Sequence, residues 1–406
     1  MTRSEYDVIV VGAGVAGSAS AIVLGQEGYR VLLLDRAVFP RHKTCGEGIM
    51  PEGVRILESL GVLPQIYEQG GFRVRGLKFR SKAGVWAQAD FPPADGSPAY
   101  SVVIRRYELD DLLLERAKGL PNVTVREGFA VVEAVYEDGV IRGVAGHPVK
   151  GREHSETFLA PLTVAADGMN SRFHNRYGIV KTLFARQRWG LSGHLGGVAG
   201  LDPYIEVVFQ EGNEVYVAPT GHDTALAAIL IEKEGMRAFR GNLAGQYHEL
   251  LKATPGLRER LRDTAVIPPV GGRGPLGYTV SPVYRPGLLL IGDSAGFVDP
   301  ITGEGMTLAL KSVCAAAPIV KAAFEAGDFG PGTLSRYAIE RARVTDDVNR
   351  LTRLMLALTR YGVVANRAIS RLSKDERLFQ KLMGIVTGTS RYRDFTLKDR
   401  WALAAG

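Results

Sequence analysis

The chain has 406 residues, 46% hydrophobic and 23% charged, a composition that excludes a disordered or fibrous protein and allows two or three cores. Its net charge of +7 is uneven: residues 331–406 hold fifteen Lys/Arg against seven Asp/Glu, which leaves the rest near neutral. Such a tail can attract anionic lipid, nucleic acid or an acidic partner, or form a solvated helix face, but no zinc-ligand cluster, RNA-binding motif or basic-aromatic stripe speaks for a metal or nucleic acid.

The opening MTRSEYDVIVVGAG enters a strand directly, without the basic, long apolar and small-residue pattern of a secretory signal. The apolar run at 6–11 predicts a parallel strand buried on both faces. Residues 12–17 read as a turn, 15–26 as a helix closed by Gly28, and 31–35 as a second buried strand, together a βαβ unit. A polar, Gly-rich segment covers 39–50, and a short helix at 51–60 ends at Gly61. Alternation at 72–91, and again between 205 and 231, predicts antiparallel strands of a second layer. Between them, 107–117 reads as helix and 163–166 as a short buried strand. The glycines at 193–200 have the wrong spacing for a second dinucleotide turn and read as a plain chain turn.

A strand at 288–291 precedes a helix at about 304–326, and 334–383 reads as two or three helices. Leu351, Leu354, Met355 and Leu358 fall on one face there, a stripe expected to dock on the protein's own core. No apolar run approaches the ~20 residues needed to span a bilayer. The two cysteines, Cys45 and Cys314, make no disulfide framework, as in a reducing compartment. A cytoplasmic protein is therefore expected, with peripheral membrane contact left open. Cys314, inside an apolar helix, is expected in the core.

The first chemical signal is Gly12-Ala13-Gly14-Val15-Ala16-Gly17, between strand and helix. Gly12 permits the tight turn, Gly14 lets a pyrophosphate approach the backbone, and Gly17 lets the helix pack closely on the strand. A diphosphate then lies on the helix N-terminus, whose free N–H groups and dipole favour an anion. Asp35 ends the second strand, where its carboxylate can accept both adenosine ribose hydroxyls. A free 2′-hydroxyl suits FAD or NAD better than NADP, and Asp35 does not choose between the first two. Ala16 and Arg36 complete this group of cofactor-binding candidates.

Far along the chain, Leu289-Leu290-Ile291-Gly292-Asp293-Ser294-Ala295-Gly296 continues into Asp299-Pro300-Ile301-Thr302-Gly303-Glu304-Gly305-Met306. This run resembles the GD motif of the p-hydroxybenzoate hydroxylase and geranylgeranyl reductase superfamily. The resemblance implies FAD, with Asp293 on the ribityl hydroxyls and Gly303, Gly305 and Met306 in backbone contact with the isoalloxazine. There a helix N-terminus stabilises the negative charge of reduced flavin. Ala165-Ala166-Asp167-Gly168-Met169-Asn170-Ser171 is similar to the family's DG motif, which puts Asp167 at the FAD. Arg105-Arg106-Tyr107-Glu108-Leu109-Asp110 resembles the RR-x-x-LD helix start, whose first arginine reaches the flavin. That assigns Arg105, with Arg106 as second choice.

The implied fold is α/β with α+β elements: a Rossmann-like FAD-binding domain of the glutathione-reductase type, an antiparallel-sheet substrate domain and a C-terminal helical segment. The FAD domain is then discontinuous, at 1–71, 101–180 and 276–330. The substrate domain takes 72–100 and 181–275, and the helices take 331–406.

Pro40-Arg41-His42-Lys43-Thr44-Cys45-Gly46-Glu47-Gly48-Ile49 resembles the K-x-CGEGI segment of geranylgeranyl reductases, which lies beside the flavin. This implies Lys43, Cys45 and Gly46 at the cofactor. Cys45 is the candidate catalytic residue, since a reductase needs a proton as well as a hydride; a small buried cysteine is also ordinary packing. The family's aromatic Y-x-W-x-F-P segment reads Val215-Tyr216-Val217-Ala218-Pro219 here, so Tyr216 is a candidate cavity wall, while the missing Trp and Phe put a geranylgeranyl substrate in doubt.

The expected function is hydride transfer from N5 of reduced FAD to a C=C bond of a small hydrophobic or aromatic substrate. The alternative is a monooxygenase working through a C4a-hydroperoxyflavin, because 306–310 also resembles squalene-type epoxidases; a flavin-dependent halogenase is the weaker third reading. NAD(P)H or a redox partner would supply electrons transiently.

Overall fold

The computed structural model describes residues 5–93, 98–150, 154–239 and 241–405. The first four residues of the opening run and Gly406 lie outside them.

At the centre is a six-stranded sheet in the order Tyr284–Arg285, Leu288–Leu290, Leu162–Ala165, Val8–Val11, Val31–Leu34, Val123–Arg126. All but the first run parallel. Strands buried on both faces favour apolar side chains, and Val8–Val11, Val31–Leu34, Leu162–Ala165 and Leu288–Leu290 are wholly buried, with Thr163 their one polar side chain. Helices Val15–Gln26, Arg106–Lys118 and Gly305–Ala326 belong to this core.

A three-stranded antiparallel sheet (Phe129–Glu137, Val140–Pro148, Glu156–Leu159) joins the same core. The sequence gives it only short, irregular alternation, interrupted by bulges at Ile141/Gly143 and Ala145/Gly146, and it was not anticipated.

The second layer is an eight-stranded sheet in the order Gly296–Phe297, Ala265–Ser281, Val180–Gly196, Thr224–Glu232, Asn213–Pro219, Tyr204–Phe209, Gly76–Arg80, Trp86–Asp90. Two strands in it run 17 residues each, and the expected boundary at 275 falls inside the second of them. Gly193 to Gly196 belong to strand, with the turn only at 197–200. One face of this sheet is closed by helix Leu243–Ala253, whose Tyr247 hydroxyl donates to Ala227 O at 2.7 Å.

The other face of the same sheet is covered at its far end by helices Pro331–Thr359, Gly362–Leu372, Glu376–Thr387 and Leu397–Ala405. Leu351, Met355 and Leu358 are buried there against Phe79, Phe209 and Phe379. The stripe thus docks inward.

Two expectations fail. Cys314 is exposed, because Ser312, Val313 and Ala316 supply the buried side of its helix. That helix, Gly305–Ala326, has 22 residues and a mean hydropathy of 1.4 in its most apolar window. It is therefore long and apolar enough to cross a membrane, despite Lys311 and Lys321, although half of the window is packed inside the protein.

Candidate active site

In an open parallel sheet the ligand crevice lies beyond the carboxyl ends of the strands. Four adjacent strands end there in Val11, Leu34, Ala165 and Leu290, and within three residues of those ends come Gly12, Asp35, Asp167 and Asp293. Segments far apart in sequence meet in one groove.

Gly12 has φ +98°, and a Cβ there would lie 2.6 Å from Ala166 O. A Cβ on Gly17 would lie 1.6 Å from Gly12 O. The turn is therefore sealed against both neighbours by bare backbone. No side chain caps the helix at Gly14, so its first N–H groups stay available. Above Gly14 stand two guanidinium groups: a Cβ would meet Arg41 Nη2 at 3.4 Å and Arg106 Nη2 at 3.7 Å. Asp35 accepts from Ala13 N at 2.7 Å and Ala37 N at 2.7 Å. Each oxygen keeps one lone pair for a ribose hydroxyl. Arg36 is exposed, and Ala16 lies against Gly292, whose added Cβ would be 3.0 Å away.

Arg106 is buried and forks onto Asp110 at 2.8 and 2.7 Å, with Arg41 on the same carboxylate at 2.9 Å. Burial works against its charge, but Asp110 and the Cys45 sulfur outweigh it and hold the guanidinium above its usual pKa. Arg105 is the half-buried residue before the helix, beside Glu108. The structure brings Arg106, the second choice, against the turn at Gly14. The signal for it was Asp110, one helical turn later.

Lys43 is exposed to the groove but ringed by Arg106, Asp293, Asp110 and Arg41. The groups packed around the ammonium strip its hydration and push it below its usual pKa, helped by Arg106. Asp167 Oδ2 accepts from Arg172 N at 2.8 Å, whereas Oδ1 is buried without a partner. Burial pushes this carboxyl up to about 6, against the Ser171 and Arg172 hydrogen bonds.

At the opposite end, Gly303 takes φ +69° just before helix Gly305–Ala326, and Met50 N donates to Thr307 Oγ1 at 3.0 Å, tying segment 45–50 to that helix start. Met306 is buried. Cys45 N donates to Ser192 Oγ at 3.2 Å, and Glu47 N to Cys45 Sγ at 3.4 Å. Around Gly46 nothing lies within 4 Å of an added Cβ, so Cys45 and Gly46 border open space. Glu47, at φ +57°, accepts from Arg106 N at 3.0 Å and pairs with His194 Nε2 at 2.8 Å. A non-glycine residue in this region stores strain, which the two contacts hold in place. His42 packs its ring against that of Tyr107, with centroids 4.8 Å apart.

Tyr216 donates to Glu214 Oε2 at 3.0 Å and to Ile301 O at 3.3 Å. Glu214 is forked by buried Arg188 at 3.2 and 2.7 Å, and Arg188 Nε lies 3.5 Å from Asp299. This cluster fastens the large sheet to the 299–303 loop. Burial pushes Asp299 up to about 6, opposed by Arg188 and assisted by Glu214. Since the folded state holds this proton more tightly than the unfolded one, the contribution is present below about pH 4 and lost as pH rises to about 6, by about 3 kcal/mol at most. The melting temperatures of Asp299→Asn at about pH 5 and about pH 8 should therefore differ less than those of the wild type, as differential scanning calorimetry would measure.

Residues 5–231 match the FAD binding domain family. The chain belongs to that family. Mouse squalene monooxygenase is 28% identical over 326 residues, 76% of this chain and 54% of that protein, so the match spans about half of it. Menaquinone reductase of Mycolicibacterium smegmatis is 28% identical over 327 residues, 76% of this chain and 75% of that one. A solved flavin-dependent brominase superposes with a TM-score of 0.83 at 18% identity, covering 98% of this chain and 97% of the other, which establishes the shared fold.

The groove fits FAD. The bare-backbone cradle at Gly12 and Gly17 and the orphaned, buried Asp167 Oδ1 both lie just past the carboxyl ends of the four strands. Sequence reading did not find Glu47, His194, Arg188, Glu214 or Asp299 as site residues. Glu47 lay inside a quoted segment, and its neighbours come from strands whose pairing no local pattern reveals. Among the described residues no His/Cys/Asp/Glu group could hold a metal ion.

Proposed function

We propose that this flavoenzyme reduces a C=C bond of a hydrophobic substrate. Bound and reduced, FAD supplies a hydride from N5. The chain's own part is to orient the alkene, exclude water and deliver a proton to the neighbouring carbon. The observation that carries the reading is Cys45, a half-buried thiol beside the open space at Gly46 whose sulfur accepts from Glu47 N at 3.4 Å and lies near enough to the buried Arg106 guanidinium to interact with its charge. When the S–H proton passes to carbon, the sulfur keeps the electron pair and Arg106 balances the thiolate. Met50, Ile301 and Phe79, in one apolar cluster with the C-terminal helices, offer the wall a hydrophobic substrate needs. Similarity to a menaquinone reductase over three quarters of both chains supports a reductase.

Similarity to squalene monooxygenase favours the alternative, oxygen insertion, and one experiment separates them. Holoprotein reduced with dithionite and mixed anaerobically with polyprenyl alkenes should reoxidise without oxygen and yield the saturated product. If reoxidation and product both require oxygen, the reductase reading is wrong. Cys45→Ala should slow the anaerobic step by about 100-fold, within the range of a lost general acid, while retaining FAD. The reductant, NAD(P)H or a protein donor, would bind transiently.

A further inference from the structure

Large apolar side chains left in water usually mark a contact surface when they cluster. Among the described residues, four of the five most exposed ones sit on two packed helices or at the N-cap of one: Leu397 (79%), Trp401 (74%), Val363 (63%) and the cap residue Tyr361 (59%). Leu397 and Trp401 are four apart, so they share one stripe of helix Leu397–Ala405. The opposite stripe carries Leu403, which is buried and faces Ala365, Ala368, Ile369 and Leu372 of helix Gly362–Leu372 across an apolar gap. The inner faces of both helices are therefore spent on each other and on the core. Their outer residues have nowhere in the protein to go.

The rim of this corner is basic. Residues 360–401 hold ten Lys/Arg against four Asp/Glu. Arg360, Arg367, Lys374, Arg377, Arg393 and Lys398 are exposed, whereas Asp375 and Asp399 are neutralised by Arg371 and Lys381. Indole and leucine flanked by cations match the boundary between acyl chains and anionic headgroups. We propose that the corner formed by Gly362–Leu372 and Leu397–Ala405 rests on an anionic lipid bilayer. The inner side of these helices belongs to the same apolar cluster as Met50 and Ile301, so docking there would put a bilayer next to the apolar mass that borders the site. The inference holds for either reaction type.

Flotation of the FAD-loaded protein with vesicles of phosphatidylcholine, with and without phosphatidylglycerol, tests it. The wild type should float with the anionic vesicles and lose that binding in high salt. The double variant Leu397→Ser/Trp401→Ser should bind at least about tenfold more weakly at unchanged FAD content and melting temperature, since both side chains are exposed. With Trp86→Phe and Trp189→Phe as background, Trp401 emission should shift to the blue on anionic vesicles only. Absence of wild-type binding at low salt overturns the proposal. So does equal binding by the double variant, which would mean adsorption by charge alone. Concentration-dependent dimerisation that the double variant abolishes, without lipid binding, would identify a second copy as occupant and overturn it as well.

Discussion

Gly17→Ala is expected to yield protein that no longer retains FAD. A single methyl would stand 1.6 Å from Gly12 O and 2.8 Å from Gly12 C, both backbone atoms that no rotamer change can move. The helix must slide away from the strand, and with it go the free N–H groups at Gly14. Overpacking of this kind costs about 1–3 kcal/mol in the fold, and displaced donors weaken the diphosphate contact further. The dissociation constant for FAD should rise by about 100-fold, measured by titrating apoprotein and following flavin fluorescence. The control is Gly362→Ala, whose Cβ meets nothing within 4 Å and which should stay yellow. Equal FAD affinity in both variants would mean that the diphosphate does not use this turn.

Arg106→Met is the second large effect. Asp110 is wholly buried, and its carboxylate is shared by the Arg106 fork and Arg41. Removing the fork leaves a buried charge with one partner, a loss of about 3–5 kcal/mol, read as a lower urea midpoint at unchanged slope. Arg106→Lys should recover little, because an ammonium cannot reproduce two parallel N–H bonds. Combining Arg106→Met with Asp110→Leu should restore much of the stability, since no charge is then stranded. FAD affinity should stay low in the double variant, whose groove lacks the guanidinium above Gly14. That separates the structural role of Arg106 from its role toward the cofactor.

The FAD half of the fold was legible because parallel strands buried on both faces favour apolar side chains and their turns must be glycine. Val8–Val11, Val31–Leu34 and Leu288–Leu290 announce themselves in that way. The large sheet was only partly legible. Its 17-residue strands Val180–Gly196 and Ala265–Ser281 contain Gly, Pro and charged residues, and their register slips repeatedly, so period-two alternation breaks down. The last helix, Leu397–Ala405, went unread because only Leu403 of it is buried.

At the site, residues acting through backbone shape could be found from spacing, as at Gly12, or from the resemblance of a contiguous motif, as at Gly303. Residues acting through partners could not. Arg188, Glu214 and Asp299 come from three separate segments and gain meaning only once Tyr216 is seen bonded to both Glu214 and Ile301. The place of Arg106 against Gly14 likewise depends on the buried carboxylate of Asp110 that holds it.

The strand order of the parallel sheet carries a consequence for biosynthesis. Leu288–Leu290 is the neighbour of Leu162–Ala165, which in turn borders Val8–Val11. A nascent chain leaving the ribosome can form the opening βαβ unit early, but the edge that brings Asp293 to the groove arrives after nearly three quarters of translation. Until then the edge strand Leu162–Ala165 of the half-made sheet stays unpaired on one side, and contacts this remote in sequence close slowly. Cofactor capture is therefore a late event in the life of this polypeptide, and cellular flavin supply acts on a chain that is already almost complete.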